Sequence, residues 1–581
     1  MIASSWRRRM HACLPAAPAL AFLAVFFCLP VVEILLGAFH GSGGAIGLDQ
    51  FHRLASTPVY AHVLGMTFLV SLITALASVI LGYPVAYMLA QLGERARGRW
   101  LIWLMIPFWT SYLVKTFAWI LVLSRTGVLG TLLASLGVQH LPTLVPTLGA
   151  VIVGMVHALL PLAVMTMLPI MRTIGAQYRQ AANTLGASNV QAFFSIYLPL
   201  SAPGVAAAAL LVFITSLGFF IVPALLGTPR DTMTAQLVIS AVLDLFNLPF
   251  AGALATVLLV CSFVVFVLYD RVVGLSSLGG EPPAPGSRGQ GVALSLLMPC
   301  GYAVDAVHGL WRRATGRKGF AVRGGTPLGL KVYAAIVVAL LMLPIVIVLP
   351  IAFTNADFLA FPPRGFSLRW FETFAISPVW QASLLRSLGV GLSTALAAVA
   401  LGLGAALAMT RMPRAWSKSV FGLLIAPLIV PRIVTAVGLF YLYARLNLAG
   451  TDAGLTIGHT VLAIPYVIVT LAAAFKGYDW RLEDAARILG AGPWARMRTV
   501  MLPLLLPAIA SAFMFAFLTS FDELTIAIFV SGGLKTTLPK QMWDEIQLSV
   551  TPTLAAVSFV LIVAIALIVV LLSMFHRKAQ K

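Results

Sequence analysis

Gln180-Ala181-Ala182, three residues, Gly186, nine residues, Ile196-Tyr197-Leu198-Pro199: this stretch returns 304 positions later as Asp484-Ala485-Ala486, Gly490 and Val500-Met501-Leu502-Pro503. The order acid-or-amide, Ala-Ala, Gly, aliphatic-x-Leu-Pro is kept in both copies without a gap. Each copy interrupts a strongly apolar background, so each reads as a water-facing loop between membrane spans. The residue types suit such a loop. Paired alanines let a partner surface approach closely, and the glycine permits a turn between two short helices without a Cβ penalty. The Leu-Pro step sets a proline in the first turn of the next span, where its missing N–H costs nothing.

The background is membrane-like throughout. Of 581 residues, 60% are hydrophobic and 10% charged, with a mean hydropathy of +0.99, which excludes an ordinary soluble domain. A span needs about 20 mostly apolar residues. Candidates lie near 14–38, 59–91, 101–124, 143–170, 200–227, 249–269, 332–354, 380–408, 419–444, 457–475, 504–530 and 553–575. The expected fold is therefore an all-α polytopic membrane protein with about twelve transmembrane helices.

The formal charge of +20 invites a nucleic-acid reading, but the basic residues are placed for orientation. With the N-terminus inside, 27 of the 38 Lys and Arg fall on inner segments, eight on outer loops, and Lys115, Arg386 and Arg432 in or beside spans. This asymmetry follows the positive-inside rule. It puts both termini and both repeated loops in the cytoplasm, with membrane lipids and no nucleic acid as partners. Arg7-Arg8-Arg9 and the long apolar run after it read as a retained first span, not a cleaved signal peptide. Cys13, Cys28, Cys261 and Cys300 form no CxxC pair, and the nine histidines include no HExxH. Neither a metal site nor a catalytic set is expected.

The symmetry extends past the loops. Pro58, Thr74-Ala75-Leu76-Ala77, Leu81-Gly82 and Pro107 recur 320 positions later as Pro378, Thr394-Ala395-Leu396-Ala397, Leu401-Gly402 and Pro427. Beyond the loop, Phe213-Ile214-Thr215-Ser216 matches Phe517-Leu518-Thr519-Ser520 at 304. The missing 16 residues are expected in the outer segment around 125–146. Six spans per half give two parallel repeats about an axis along the membrane normal. The expected division is 1–270, a linker at 271–330 and 331–581. The linker opens with Gly279-Gly280-Glu281-Pro282-Pro283, a flexible composition, and 292–311 has the pattern of a short surface helix or of plain connection.

The doubled loop resembles the cytoplasmic coupling loop of ABC importer permeases, known for its Glu-Ala-Ala…Gly signature. That resemblance implies a type I importer permease fold and docking of two cytoplasmic ATPase subunits, one at each loop. The implied coupling residues are Gln180, Ala181, Ala182 and Gly186 in the first copy, and Glu483, Asp484, Ala485, Ala486 and Gly490 in the second. Gln180 and Asp484 stand where the signature prefers Glu, so charge contacts there are weaker in the first copy. No Gly-Lys-Ser/Thr occurs, so the chain has no P-loop. ATP and magnesium belong to partner subunits, and this chain carries no cofactor.

The resemblance is closest to spermidine/putrescine-type permeases. Pro107-Phe108-Trp109-Thr110-Ser111-Tyr112-Leu113-Val114-Lys115-Thr116 and Phe220-Ile221-Val222-Pro223-Ala224-Leu225-Leu226-Gly227 look like one permease of such a system. Ser520-Phe521-Asp522-Glu523, Thr537-Leu538-Pro539 and Pro552 look like its partner, fused here in one chain. Related permeases serve iron(III), thiamine and aminoethylphosphonate. The resemblance further implies a periplasmic or lipid-anchored solute-binding protein, a bacterial inner membrane and alternating access. An ion-coupled secondary transporter is the rival class, although it needs no loop pair.

Ionisable residues at membrane depth are substrate-path candidates because burying them in lipid is costly. Asp522 and Glu523 lead, with Trp109 and Phe219 as cation–π surface for an ammonium group. The competing reading makes Asp522 the cap of a broken helix and pairs Glu523 with Arg432 or Lys115. Lys115, Arg386 and Arg432 oppose a purely cationic cargo unless they neutralise Glu33, Asp522 or Glu523.

Overall fold

The structure, a computed structural model, describes residues 14–40, 46–138, 143–185, 187–272, 299, 302, 306, 327–531 and 535–579, with backbone only for 569–579. Most of the expected linker, the surface helix at 292–311 and Gly186 of the first loop lie outside these residues. Among the described residues, ten helices are long and apolar enough to cross a membrane, or eleven if one bent pair counts as a span. The shorter apolar helix Pro552–Ile568 stands at the twelfth expected position.

Both halves repeat one plan. Pro58–Gln91 packs against Leu148–Thr173 and Leu198–Leu217, as Pro378–Arg411 packs against Asp452–Lys476 and Leu502–Phe521. Small residues permit the close approach. A Cβ on Gly82 would stand 3.0 Å from Val164 Cγ2, and one on its counterpart Gly402 would stand 2.5 Å from Val467 Cγ1. The 16-residue difference is where the sequence places it. The first half inserts helix Val128–Ser135 after Tyr112–Leu123, whereas the second half turns directly from Leu446 to Asp452.

The first span of each half packs on the opposite half. Leu14–Gly37 reaches the second half, where Arg445 pairs with Glu33 at 3.0 Å and Gly438 lies under the Pro30 carbonyl. Leu328–Ile351 reaches the first, where His157 Nε2 stands 2.9 Å from the Leu341 carbonyl and the Tyr333 hydroxyl donates to the Leu81 carbonyl at 3.0 Å. The halves are thereby interlocked rather than merely tethered.

Four expected spans are not continuous. The third breaks at Thr110-Ser111, between Glu94–Trp109 and Tyr112–Leu123. The ninth breaks at Val430-Pro431 with a 95° bend. Pro431 cannot supply the N–H that the helix needs and pushes Val430 into extended backbone, observed at φ −77°, ψ 127°. Ser111 does the same work by other means, its side chain accepting from Leu113 N–H at 3.2 Å to start the next helix. The fifth and eleventh spans stop at Leu217 and Phe521, then resume as Ile221–Leu226 and Thr525–Val530.

Candidate functional site

The four breaks converge. A Cβ on Gly218 would lie 3.1 Å from Pro431 Cβ and 3.4 Å from Arg432 N, so the first half's break is pressed onto the second's. Around this point is a cavity of about 60 Å³ whose walls include Tyr112, Phe219, Arg432, Tyr466 and Asp522. Each break contributes to the lining, and broken helices inside a membrane are tolerated where they border a cavity or protein.

Asp522 is the C-cap residue of Leu502–Phe521 and also faces this cavity. Ser111, Tyr112, Lys115 and Arg432 are the groups that act on its carboxylate. Phe219 lines the cavity and meets the Tyr112 ring edge-on at 5.0 Å. Arg432 lies 3.5 Å from the Tyr466 hydroxyl. Thus the lining combines one carboxylate, one guanidinium and the four aromatic rings of Tyr112, Phe219, Phe220 and Tyr466.

Glu523 and Trp109 stand elsewhere. Trp109 packs on Phe515, ring centroids 5.1 Å apart, in an apolar cluster with Leu518 and Ile565. Glu523 is 1% exposed and turned into the second half. Its Oε2 accepts from Ile526 N–H at 2.9 Å and Ala527 N–H at 3.3 Å, starting the short helix after the break. His459 Nε2 lies 3.5 Å from this carboxylate, and Arg432 acts on it electrostatically without a direct ion pair. His459 Nδ1 meets Ser520 Oγ at 2.8 Å, and Ser520 reaches Thr394 at 3.3 Å. In the first half the matching residues are Thr74, Met155, Ser216 and Phe219, so the His–Glu pair belongs to one half only.

The other cations also have partners. Lys115 Nζ donates to the Pro107 carbonyl at 3.1 Å, holding the end of the broken helix, and Arg386 pairs with Asp452 at 2.7 Å. Glu523→Ala would leave two buried N–H groups without an acceptor, at about 1–3 kcal/mol each. The expected result is a lower unfolding midpoint in detergent for Glu523→Ala and near-native stability for Glu523→Gln, which keeps an acceptor oxygen. Equal midpoints for Glu523→Ala and the unaltered chain would refute this role.

The repeated loops fold alike. Ala176–Thr184 and Arg481–Ile488 are short helices, each followed by a second short helix and a π turn, Phe193–Tyr197 or Met497–Met501, that leads into the next span. Ala187 N–H donates to the Ala182 carbonyl at 3.0 Å, and Ala491 N–H to Ala486 at 3.0 Å, the same bond 304 positions apart. Gly490 takes φ +81° there, where glycine alone is unstrained. Gln180, Ala181, Asp484 and Ala485 are exposed, Ala486 is half-buried and Ala182 buried. Glu483 faces inward beside Tyr478, whose phenol is pushed up by burial and then by that carboxylate.

Sequence reading had not singled out the loop leucines. Leu185 is 88% exposed and Leu489, its counterpart, 86%. Their identity at matched positions in both copies was the available signal. Tyr112 and Tyr466 were likewise missed as lining residues, although Ser111 and Pro431 mark the helix breaks in the sequence.

Comparison with known proteins agrees with this plan. The model of the family described as binding-protein-dependent transport system inner membrane component matches residues 78–275 and 398–581. The spermidine/putrescine transport system permease protein PotB of Escherichia coli K12 is 33% identical over 257 residues, covering 43% of this chain and 93% of that protein. PotC of Haemophilus influenzae, of the same named system, is 30% identical over 243 residues, covering 42% and 94%. A solved bacterial ABC transporter involved in import of the acidic polysaccharide alginate is similar with TM-score 0.37 and 17% identity, covering 46% of this chain and 99% of that one.

Proposed function

We infer that this chain, which belongs to the family of binding-protein-dependent transport system inner membrane components, unites both permease halves of an ATP-driven importer in one polypeptide. The observation that carries the inference is the loop pair. Two copies share fold, capping bond and an almost fully exposed leucine, on a chain built as two interlocked halves. An exposed leucine at the end of each short loop helix suits a groove in a partner, and two such sites suit two ATPase subunits. The basic-residue asymmetry supports a cytoplasmic position for both loops and both termini. ATP and magnesium then act on the partners, and no covalent chemistry falls to this chain.

The midplane cavity supports a solute path gated by the four breaks. At about 60 Å³ it holds roughly two waters, well below the roughly 300 Å³ at which small-molecule pockets begin. The described conformation is therefore closed, and transport requires the halves to rock apart. A solute-binding protein delivers cargo to the outer face. ATP binding closes the ATPases, the loops pass that closure to the spans, and the cavity opens outward and then inward. Asp522, with Phe219 and Tyr112, suits a cationic amine, in keeping with the substrates named for the PotB and PotC relatives. Arg432 in the same lining favours the second reading, a solute such as aminoethylphosphonate that carries an anionic group beside its amine.

Reconstitution tests both readings. Proteoliposomes holding the chain, its ATPase subunits and its binding protein are expected to accumulate radiolabelled spermidine only with ATP inside the cytoplasmic-face compartment. Preference for aminoethylphosphonate would select the second reading. Uptake that persists without ATP hydrolysis and follows a proton gradient would overturn the importer assignment.

A further inference from the structure

A second cavity, of about 290 Å³, lies at the foot of the first half. It opens to the surface beside Ala176, Tyr178 and Arg179, and is bounded where Pro58–Gln91 and Leu148–Thr173 end, where helix Ala176–Thr184 begins and where the π turn Phe193–Tyr197 starts the next span. Its walls are aromatic. The Tyr87 ring meets Phe193 edge-on at 5.3 Å and Tyr197 at 4.7 Å. Its polar groups are Gln91, Arg179 and the hydroxyls of Tyr87, Tyr178 and Tyr197, with no carboxylate among the lining residues.

The repeat provides an internal control. Ala176 corresponds to Trp480, 304 positions on. In the second half the Trp480 ring stacks on Phe475 at 6.2 Å and meets Tyr478 edge-on at 5.0 Å. It packs in one cluster with Phe475, Met497 and Met501. Those residues are the counterparts of Met171, Phe193 and Tyr197, which line the first-half cavity. The same space is thus filled by an indole in one half and empty of side chain in the other. The charge differs too, since the counterpart of Arg179 is Glu483.

One buried donor beside this cavity lacks a protein partner, and an exposed guanidinium stands at its rim. Gln91 Nε2 is buried and makes no hydrogen bond, although a buried donor without an acceptor costs about 1–3 kcal/mol. Arg179 forms no ion pair among the described residues. A buried orphan donor, a guanidinium and aromatic walls together call for an acceptor-bearing ligand with an apolar body.

We propose that this cavity is a binding site for an organic anion with a flat or apolar body, its anionic group held by Arg179 and Gln91 and its body seated between Tyr87, Phe193 and Tyr197. The site bridges the ends of two spans to the helix that carries Gln180 and Ala181. A bound anion braces the first loop against the spans and leaves the second loop, already braced by Trp480, unchanged. That regulatory consequence rests on the coupling role inferred above, whereas binding itself does not. An acidic phospholipid and a soluble metabolite share this chemistry.

The test uses the full chain in nanodiscs with 8-anilinonaphthalene-1-sulfonate as the probe, read as the saturable difference between variants. Nanodiscs of phosphatidylcholine are expected to show one saturable site per chain. Ala176→Trp removes it by reproducing the second half, and Arg179→Gln weakens it roughly tenfold, the loss of one charge-assisted contact. Trp480→Ala opens a matching space that binds the probe more weakly, since Glu483 replaces Arg179 there. Adding phosphatidylglycerol to the bilayer and losing the probe signal assigns a lipid headgroup; an unchanged signal assigns a soluble anion. Saturable binding that is the same in the unaltered chain, Ala176→Trp and Arg179→Gln would overturn the site. Probe binding that follows the prediction while the chain fails to associate with any ATPase would leave the site standing and remove only the regulatory consequence.

Discussion

Changing Leu185 and Leu489 together to glutamate abolishes ATP-driven uptake, by at least about 100-fold, while the chain remains inserted and folded. Burying one leucine side chain stabilises an interface by about 1.5–3 kcal/mol, and a carboxylate forced into the same groove adds its desolvation cost. Both leucines are almost fully exposed in the isolated chain, at 88% and 86%, so neither substitution removes packing within it. The single variants are expected to differ. Ile488, also 86% exposed, stands beside Leu489 and keeps apolar surface at the second loop, whereas Thr184 stands beside Leu185. Leu185→Glu should therefore lose more uptake than Leu489→Glu. The measurement is uptake in proteoliposomes together with the amount of ATPase retained on the purified chain. Uptake within twofold of the unaltered chain in the double variant would remove the loops from the coupling path.

The second large effect concerns Asp522. It supplies the one carboxylate among the residues lining the midplane cavity, at the point where the four helix breaks meet. A hydrogen bond to a charged group contributes about 1.5–3 kcal/mol, so Asp522→Asn is expected to reduce uptake of a cationic amine by roughly 10- to 100-fold. Asparagine preserves shape and can still cap Leu502–Phe521, which separates the charge from the capping role. Thermal stability should therefore change little while uptake falls. Undiminished spermidine uptake by Asp522→Asn would show that the carboxylate caps the helix and does not meet the cargo.

The repeat and its loops were legible because they rest on local chemistry. Ala-Ala, Gly and Leu-Pro have backbone and size consequences that survive any tertiary context, and the short loop helices form where those residues place them. The twelve apolar runs were legible for the same reason. The breaks were harder to read. Pro431 announces one, but Thr110-Ser111, Gly218 and Asp522 sit in runs whose hydropathy alone reads as continuous span. Hydropathy measures compatibility with lipid and is blind to whether a backbone turns beside a cavity.

The sequence offered Asp522 both as a path carboxylate and as the cap of a broken helix, and it occupies both positions, whereas the turn of Glu523 toward Thr525–Val530 and His459 was not legible. Adjacent residues at a helix break point in different directions, so one lines the cavity while the other caps Thr525–Val530 and meets His459. Trp109 illustrates the same limit. Its position in the third-span motif suggested cation–π surface, yet its ring packs against Phe515 and is not among the residues lining the cavity. Exposure of Leu185 and Leu489 depends on how each loop helix sits on the spans, which only the folded chain displays.

The central claim is that one copy of this chain supplies both halves of an importer and docks two ATPase subunits. Native mass spectrometry of the complex purified from its own membrane tests it most directly. The expected mass is that of one chain with two ATPase subunits, falling to one ATPase when Leu185→Glu disables the first loop, which has no neighbouring apolar residue to compensate. Two copies of the chain in the complex, or a stable transporting assembly with no ATPase bound, would contradict it.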